Sequence, residues 1–501
     1  MAGVAVDLLE PLPGRGARSA WWILAASLGV GVAGDALLRE TPWGVNLTVF
    51  AWGAVAVALL LANGLGVRLD GEGRWLALAV VVLAAAFALR DSGNLLAFDL
   101  LAMLGLGGLA VARARSHDVR SASLSEYALD VAAAGLGAVT GGVRMLVRDV
   151  EWRGEGRWRG VALAGLRGVL IAVPLLLGFG ALFVLADASF EALTLRLIRW
   201  DLEELLGHAA LILLLAWVAA GVLHTLLIAG GWRISLIAPD PRPSLGAIEL
   251  GIVVGALDLL FLTFVVVQFG ELFGGMGFVG SPEAPTVAAY ARRGFFELIA
   301  VAALCLPVLL AGEWLARSGK GGLRIFRALA AVFVALLFAV LASAAHRMLL
   351  YGRAFGLTEA RVYASAVIVW LAVVIVWAIP TVLRGRRERF AFGALVAALA
   401  SLLALNAINP DRLIASVNTG RREATVPFDA IYAAGLSADA VPALLAGLPN
   451  LTPEARCHLA GGLLERWGDH ESDDLRTWNL SRARARRMVE DRAASLSAAC
   501  P

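Results

Sequence analysis

Apolar residues in this chain gather into eleven long, nearly unbroken stretches. They lie at about Trp21–Leu38, Val45–Val67, Trp75–Leu89, Leu95–Ala112, Val161–Ala186, Leu205–Ala229, Leu245–Phe269, Phe295–Leu315, Ile325–Ala345, Val362–Val382 and Phe390–Ile408. A helix needs about 20 residues to cross a bilayer. Lipid tolerates only helices and closed barrels, because every backbone polar group must be paired internally. These stretches are longer than barrel strands and lack their alternation. The pattern predicts an all-α polytopic helical membrane protein of about 11 transmembrane helices, with a small C-terminal α-helical domain. Trp21, Trp22, Trp43, Trp75, Trp200, Trp232 and Trp314 fall at or near stretch ends, where interfacial aromatics belong.

The polar intervals set the organisation. An N-terminal segment (1–20) precedes a four-helix part (21–112), a basic loop (113–160), a seven-helix part (161–408) and a polar tail (409–501). Arg15 and Arg18 ahead of an apolar stretch imitate a secretory signal. More spans follow, however, and Gly34-Asp35-Ala36 is a poor cleavage site, so the first stretch reads as an anchor. In the tail, Ser437 caps a helix through Leu445, and Thr452-Pro453-Glu454 starts one through Trp467. Ser481–Leu496 reads as a last helix.

Charge supplies an orientation. With the N-terminus in the cytoplasm, the inner segments hold 23 Lys/Arg, the outer loops nine and the tail eleven. That bias predicts a cytoplasmic N-terminus and an extracytoplasmic tail in a bacterial cytoplasmic membrane. The hydrophobic share is 59%, above the roughly 45–50% of soluble chains. Mean hydropathy is +0.78. Net charge is only +3 and the basic residues are dispersed over membrane-flanking loops, so nucleic acid is not an expected partner. The bilayer is, and beyond it anionic lipid headgroups or an envelope protein. In the basic loop, Leu129–Val143 is apolar apart from Asp130 and Thr140, and Arg148, Arg153, Arg157 and Arg159 follow with Trp152 and Trp158. Two readings stand: an interfacial helix touching anionic headgroups, or a short packed helix in a solvated loop. The Gly-Arg run lacks the Gly-Lys-Ser/Thr ending of a phosphate loop.

Candidate chemistry is sparse. No Cys-x-x-C occurs and the six histidines show no paired ligand spacing, so neither a metal nor a cofactor is expected. Cys305 reads as a core residue. Cys457 and Cys500, in a tail outside the cytoplasm, are a possible disulfide. Asp258 sits mid-span with Gly251 and Gly255 on its helix face, which permits close helix contact. It is either a proton or cation relay or a paired structural acid. At the outer boundary Tyr290, Arg292, Arg293 and Glu297 form a second candidate group, with Arg293 and Glu297 four apart. They bind an anionic ligand or join a network with Glu271 and Glu283. An outer loop carries Arg347, Tyr351, Arg353 and Arg361, and the last span exits through Asp411 and Asn418, which share a face with Arg422. In the tail, Arg482, Arg484, Arg486 and Arg487 form a basic face. Three Asn-x-Ser/Thr triplets begin at Asn46, Asn450 and Asn479.

The Tyr290–Leu298 stretch, Arg347-Met348-Leu349-Leu350-Tyr351 with Gly356–Arg361, Asn409–Asn418, Leu436–Pro442 and Trp478–Arg482 together resemble an uncharacterised bacterial multi-pass membrane family, a domain of unknown function. The resemblance covers about Gly160 to the C-terminus, and Phe355 stands where a Tyr is expected. It implies a topology and names no catalytic residue. Three functions follow in order: a non-enzymatic envelope protein with an interaction or sensing tail; a transporter or lipid-carrier flippase using Asp258 and the outer arginines; a membrane-embedded transferase using a lipid-linked donor, with Asp35 as its outer acid.

Overall fold

The computed structural model describes residues 3–8, 17–67, 69, 71–114, 119–149, 202–229, 232–237, 245–273, 295–315, 320–421, 427–468 and 474–500. Ten of its helices are long and apolar enough to cross a membrane. They are α1 (Ala17–Leu38), α2 (Val45–Gly64), α3 (Gly71–Leu89), α4 (Gly93–Arg113), α6 (Leu202–Leu227), α7 (Ala247–Phe273), α8 (Phe295–Leu315), α9 (Lys320–Phe355), α10 (Glu359–Thr381) and α11 (Phe390–Ile408). Each matches an expected stretch. The remaining one, Val161–Ala186, lies outside the described residues.

Their outward surfaces explain the composition. Leu60, Leu101, Ile252, Leu259 and Leu304 are each more than 60% exposed, a cost in water that vanishes in lipid. Inward faces build three cores. One joins α7, α8, α9 and α10 around Phe326, Phe333 and Ile375. A second joins α2, α3 and α4 with α11 around Leu76, Leu83 and Phe87. A third joins α1, α2 and α6 around Ile23 and Leu227.

Side-chain pairs reveal the direction of each crossing. Asp35 near the end of α1 meets His208 near the start of α6, at 2.5 Å. At the other end of α6, His224 meets Asp149 at 2.9 Å. The two histidines are 16 residues, or about 24 Å, apart along the helix. So α1 and α6 run antiparallel. The chain leaves Asp149 on one face of the bundle and re-enters at Leu202 on the other.

Between α4 and that exit lies α5 (Leu124–Arg144), begun by a capping box in which Ser123 and Glu126 bond each other's backbone amides. It starts five residues before the apolar run Leu129–Val143 expected there. Arg113 of α4 pairs with its Asp130 at 2.6 Å. Gly141 and Gly221 bring α5 and α6 almost backbone to backbone. A π-turn (Met145–Asp149) then returns to His224. The contacts at Gly221 and His224 lie toward one end of α6, so α5 packs on α6 near that face. Two strands, β1 (Gly3–Leu8) and β2 (Trp232–Ile237), pair antiparallel from Gly3 opposite Ile237 to Leu8 opposite Trp232. This ribbon is an addition to the helical plan that the hydropathy pattern did not announce.

Helix α9 is also longer than its apolar stretch. Its 36 residues extend about 54 Å, well beyond the about 30 Å of a hydrocarbon core. His346–Phe355, expected as an outer loop, is instead its last turns. The helix stops only at Gly356, whose φ of 80° suits glycine.

The tail forms a compact helical cap on one end of the bundle. It comprises α12 (Pro410–Thr419), α13 (Ala430–Gly435), α14 (Val441–Gly447), α15 (Pro453–Trp467), α16 (Leu480–Glu490) and α17 (Ala493–Ser497). Ile414, Leu444, Leu459, Leu463, Ala485 and Val489 are its centre. Thr452 starts α15 as expected, accepting from Ala455 N. The expected last helix is in fact two: Asn479, not Ser481, caps α16, and Asp491 and Arg492 separate it from α17. Cys457 and Cys500 are disulfide-bonded, tying the chain end to α15. Cys305 is a free, buried core residue.

Candidate functional site

The densest polar arrangement among the described residues is the seam between this tail and the ends of the membrane helices. Its hub is Asp439, in a short turn (Ala438–Ala440); Ser437, expected to cap a helix here, precedes the turn without a side-chain capping bond, because its hydroxyl donates to Asp411. One carboxylate oxygen accepts from the Asp91 amide at 2.7 Å and the Ser92 amide at 3.2 Å, in the α3–α4 turn. The other accepts from Ser481 Oγ at 2.6 Å and Asn409 Nδ2 at 2.9 Å, with Arg90 3.8 Å away. Asp91 answers in kind, taking the Ala438 amide at 3.1 Å and Arg482 at 2.9 Å. Arg482 is buried, and its other terminal nitrogen donates to Thr477 O at 2.6 Å and to the carbonyls of Pro42 and Trp43 at 3.3 Å.

Backbone ends of α2, α3 and α4 are thus held by the tail. Asn479 Nδ2 donates to Phe87 O and Arg90 O, both at 2.7 Å, satisfying carbonyls at the end of α3. The amide of Val45 donates to Trp478 O at 2.8 Å. Asn46, fully buried, folds the α1–α2 turn by donating to Leu37 O and Glu40 O at 2.9 Å and accepting from Gly44 and Leu47. Gly44 has to be glycine, since a Cβ there would meet Trp478 O at 2.4 Å. Asn409, in the left-handed region at φ 60°, turns the chain from α11 into α12 while its side chain serves Asp439. Deeper in the bundle, Asn406 Nδ2 bridges both oxygens of buried Asp99, at 2.9 and 3.2 Å, joining α11 to α4.

Burial shapes the seam's electrostatics. Desolvation holds the Asp91 carboxyl above its usual range despite the Ala438 amide and Arg482. Desolvation also pushes Asp411 up to about 6, against the Ser437 hydrogen bonds that lower it. Asp411 takes both the amide and the hydroxyl of Ser437 on one oxygen. Its other oxygen is buried without a hydrogen-bond partner among the described residues.

The residues predicted from sequence do not form one group. Asp411 is part of the seam. Asn418, on the same short helix, works elsewhere: it accepts from Leu357 N and donates to Leu357 O, both at 2.8 Å, fixing the α9–α10 turn. Arg361 lies over the Tyr351 ring, 4.0 Å from its centre, and donates to Gly356 O. Tyr351 also packs on Phe355. Arg353 is exposed, and its carbonyl is held by Arg421. Arg347 is buried near the end of α9. Glu297 is exposed in the first turn of α8, while Tyr290, Arg292, Arg293, Glu283 and Arg422 lie outside the described residues. So do Arg153, Arg157, Arg159, Trp152 and Trp158.

Asp258 lies in α7, buried, with neither oxygen hydrogen-bonded to a described residue. Among the described residues no close contact is made at its glycine face: a Cβ at Gly251 or Gly255 would meet none of their atoms within 4 Å. Asp35 is engaged by His208 and lies 4.0 Å from Arg39. The expected basic face of the tail also changes. Arg482 is spent inside the seam, leaving Arg484 and Arg487 outward.

Sequence reasoning missed Asp91, Asp439, Asn479 and Arg482 as partners. A signal was present in two of the Asn-x-Ser/Thr triplets. Asn46-Leu47-Thr48 and Asn479-Leu480-Ser481 are both built into the seam: Thr48 donates to Ala84 O at 2.7 Å, and Ser481 reaches Leu89 O and Asp439.

No curated protein and no solved structure matches this chain. A family model described as Domain of unknown function (DUF4153) matches residues 77–447. The match begins well upstream of Gly160, where the resemblance was placed, and takes in Asp91, Asn409, Asp411 and Asp439 but not Asn479 or Arg482. Covering well over half of the 501 residues, it places this multi-pass chain in that family.

Proposed function

We propose that the protein is a non-enzymatic envelope protein of the bacterial cytoplasmic membrane. Its N-terminus is cytoplasmic, and its extracytoplasmic tail presents a fixed surface to an envelope partner. The observation that carries this reading is the seam. Asp439 and Asp91 direct their hydrogen bonds into holding the tail against α3, α4 and α11. Such an arrangement makes the tail and bundle one body, because matched buried charges are costly to separate. Outward from it point Arg484 and Arg487 and the 80% exposed Ile431. A rigid surface binds with less ordering entropy than a tethered one.

The test places a photoreactive residue at Arg484, Arg487 or Ile431 of the full chain in its native membrane. A discrete adduct at one position is expected, and it should vanish at equal abundance when Arg482→Met releases the tail. No adduct at any of the three positions would reject the reading.

A transport or flippase path is the second reading, favoured by Asp258. A buried acid in a span, without a hydrogen-bond partner among the described residues, is expensive and marks a pathway by default. Complementation of a deletion strain distinguishes it: Asp258→Asn at normal abundance should fail to complement if that path operates. Complementation at the wild-type level removes it.

A further inference from the structure

Away from the seam, toward the opposite face, α2, α3, α4, α5 and α6 leave a groove of about 760 Å³ between them. A second cavity of about 430 Å³ adjoins it, sharing Val55, Leu59, Leu69, Arg74 and Ala77. Ligand sites commonly occupy about 300–1,000 Å³. The groove follows α4 from Leu101 to Ala114, about 20 Å of helix. That exceeds one leaflet's share, about 15 Å, of a hydrocarbon core.

Its walls keep it open. Gly105 and Gly107 of α4 and Gly135 of α5 line it, and a Cβ at any of them would meet no atom of a described residue within 4 Å. Glycine in a helix normally serves close approach of another helix, as at Gly141 and Gly221. Here no described helix packs against the glycines. The mouth is polar on one side only. Among the described lining residues Arg74 is the sole charged one in either cavity, with Asn63 beside it. Glu72, two residues away, is spent on Arg120 at 3.2 Å and on the Val119 amide at 2.7 Å. Arg74 is exposed and makes no ion pair with a described residue.

An apolar slot as long as a leaflet, opening at an unspent guanidinium, fits one kind of occupant. We propose that this groove is a specific lipid site that holds an acyl chain of an anionic phospholipid, with the phosphate at Arg74. The guanidinium fork matches phosphate oxygens, and hydrocarbon replaces the contacts the glycine walls leave unmade. Loss of the lipid would leave the walls facing a void that water does not fill. The site stands independently of the tail's role.

The test uses purified full-length protein exposed to micelles with equal phosphatidylglycerol and phosphatidylcholine, then weighed by native mass spectrometry. One retained phosphatidylglycerol is expected. Gly107→Leu with Gly135→Leu fills the groove and should lower retention about tenfold. Gly53→Leu, whose Cβ also meets nothing within 4 Å but which does not line the groove, should leave retention unchanged. Arg74→Gln should keep a lipid but lose the preference for phosphatidylglycerol. Equal retention by wild type and the filled groove overturns the proposal, as does an unchanged headgroup preference in Arg74→Gln. If the filled protein does not assemble, the Arg74→Gln result decides alone.

Discussion

Asp439 accepts hydrogen bonds from two backbone amides, an amide side chain and a hydroxyl, with Arg90 close by. Asp258, 8% exposed against 4% for Asp439, accepts none from any described residue. Both carboxylates are buried, yet their surroundings differ in kind. Around Asp439 the polar groups come from three separate stretches of chain and converge. Asp258 lies instead on a helix whose Leu257 and Phe261 belong to the apolar α7–α10 core. A buried charge costs several kcal/mol unless paired, and the pairing decides which role it can hold. The matched acid is architectural: removing any member leaves others unsatisfied. The other acid is matched by no hydrogen bond from a described residue, so its presence asks for another reason.

That contrast can be broken most severely at Arg482. Arg482→Met leaves Asp91 without its cationic partner and three carbonyls without a donor, and should cost about 3–5 kcal/mol in tail docking. Protease sensitivity of the tail, in full-length protein, reads this directly. Replacing Cys457 and Cys500 together by Ser should lower tail stability by about 2–4 kcal/mol, seen as an earlier thermal transition. Asn479→Ala removes the donor to Phe87 O and Arg90 O and the cap of α16, for about 1–3 kcal/mol in the same assay.

A change of pH sharpens the comparison on the seam side. Asp411 is pushed from 3.8 up to about 6, and Asp91 is also raised. Both bind a proton more readily docked than released. The Asp411 contribution is therefore fully present below about pH 4 and is lost as pH rises through about 6, and Asp91 acts in the same direction. Tail protection should rise on mild acidification, opposite to ordinary acid unfolding, and Asp411→Asn should flatten that slope. The smallest effect belongs to Asp258→Asn, which breaks no hydrogen bond to a described residue. It should shift stability by less than about 1 kcal/mol and leave abundance unchanged. A large loss of abundance would make Asp258 architectural after all.

What was legible in the chain follows from range. Span positions depend on consecutive residues, so the ten described membrane helices fall on their apolar stretches, including the close α3–α4 pair. Local caps were readable too: Thr452 starts α15 by its own side chain. The seam was not, because Asp91 and Arg482 lie 391 positions apart and no local pattern couples them. Arg482 looked like one of four surface arginines, and only the fold separates it from Arg484 and Arg487. Asp411 and Asn418 share a helix, as their spacing implied, yet turn to different partners. The length of α9 was missed because apolar runs mark where lipid begins and ends, not where a helix stops.

A double-mutant cycle on Asp91→Asn and Arg482→Gln, followed by proteolysis of the tail in full-length protein, tests the seam most directly. If the tail is locked to the bundle through this pair, the two losses will fall short of additivity by about 1–3 kcal/mol. Additivity to within about 0.3–0.5 kcal/mol would contradict the account, because the tail would then be held by something other than the seam.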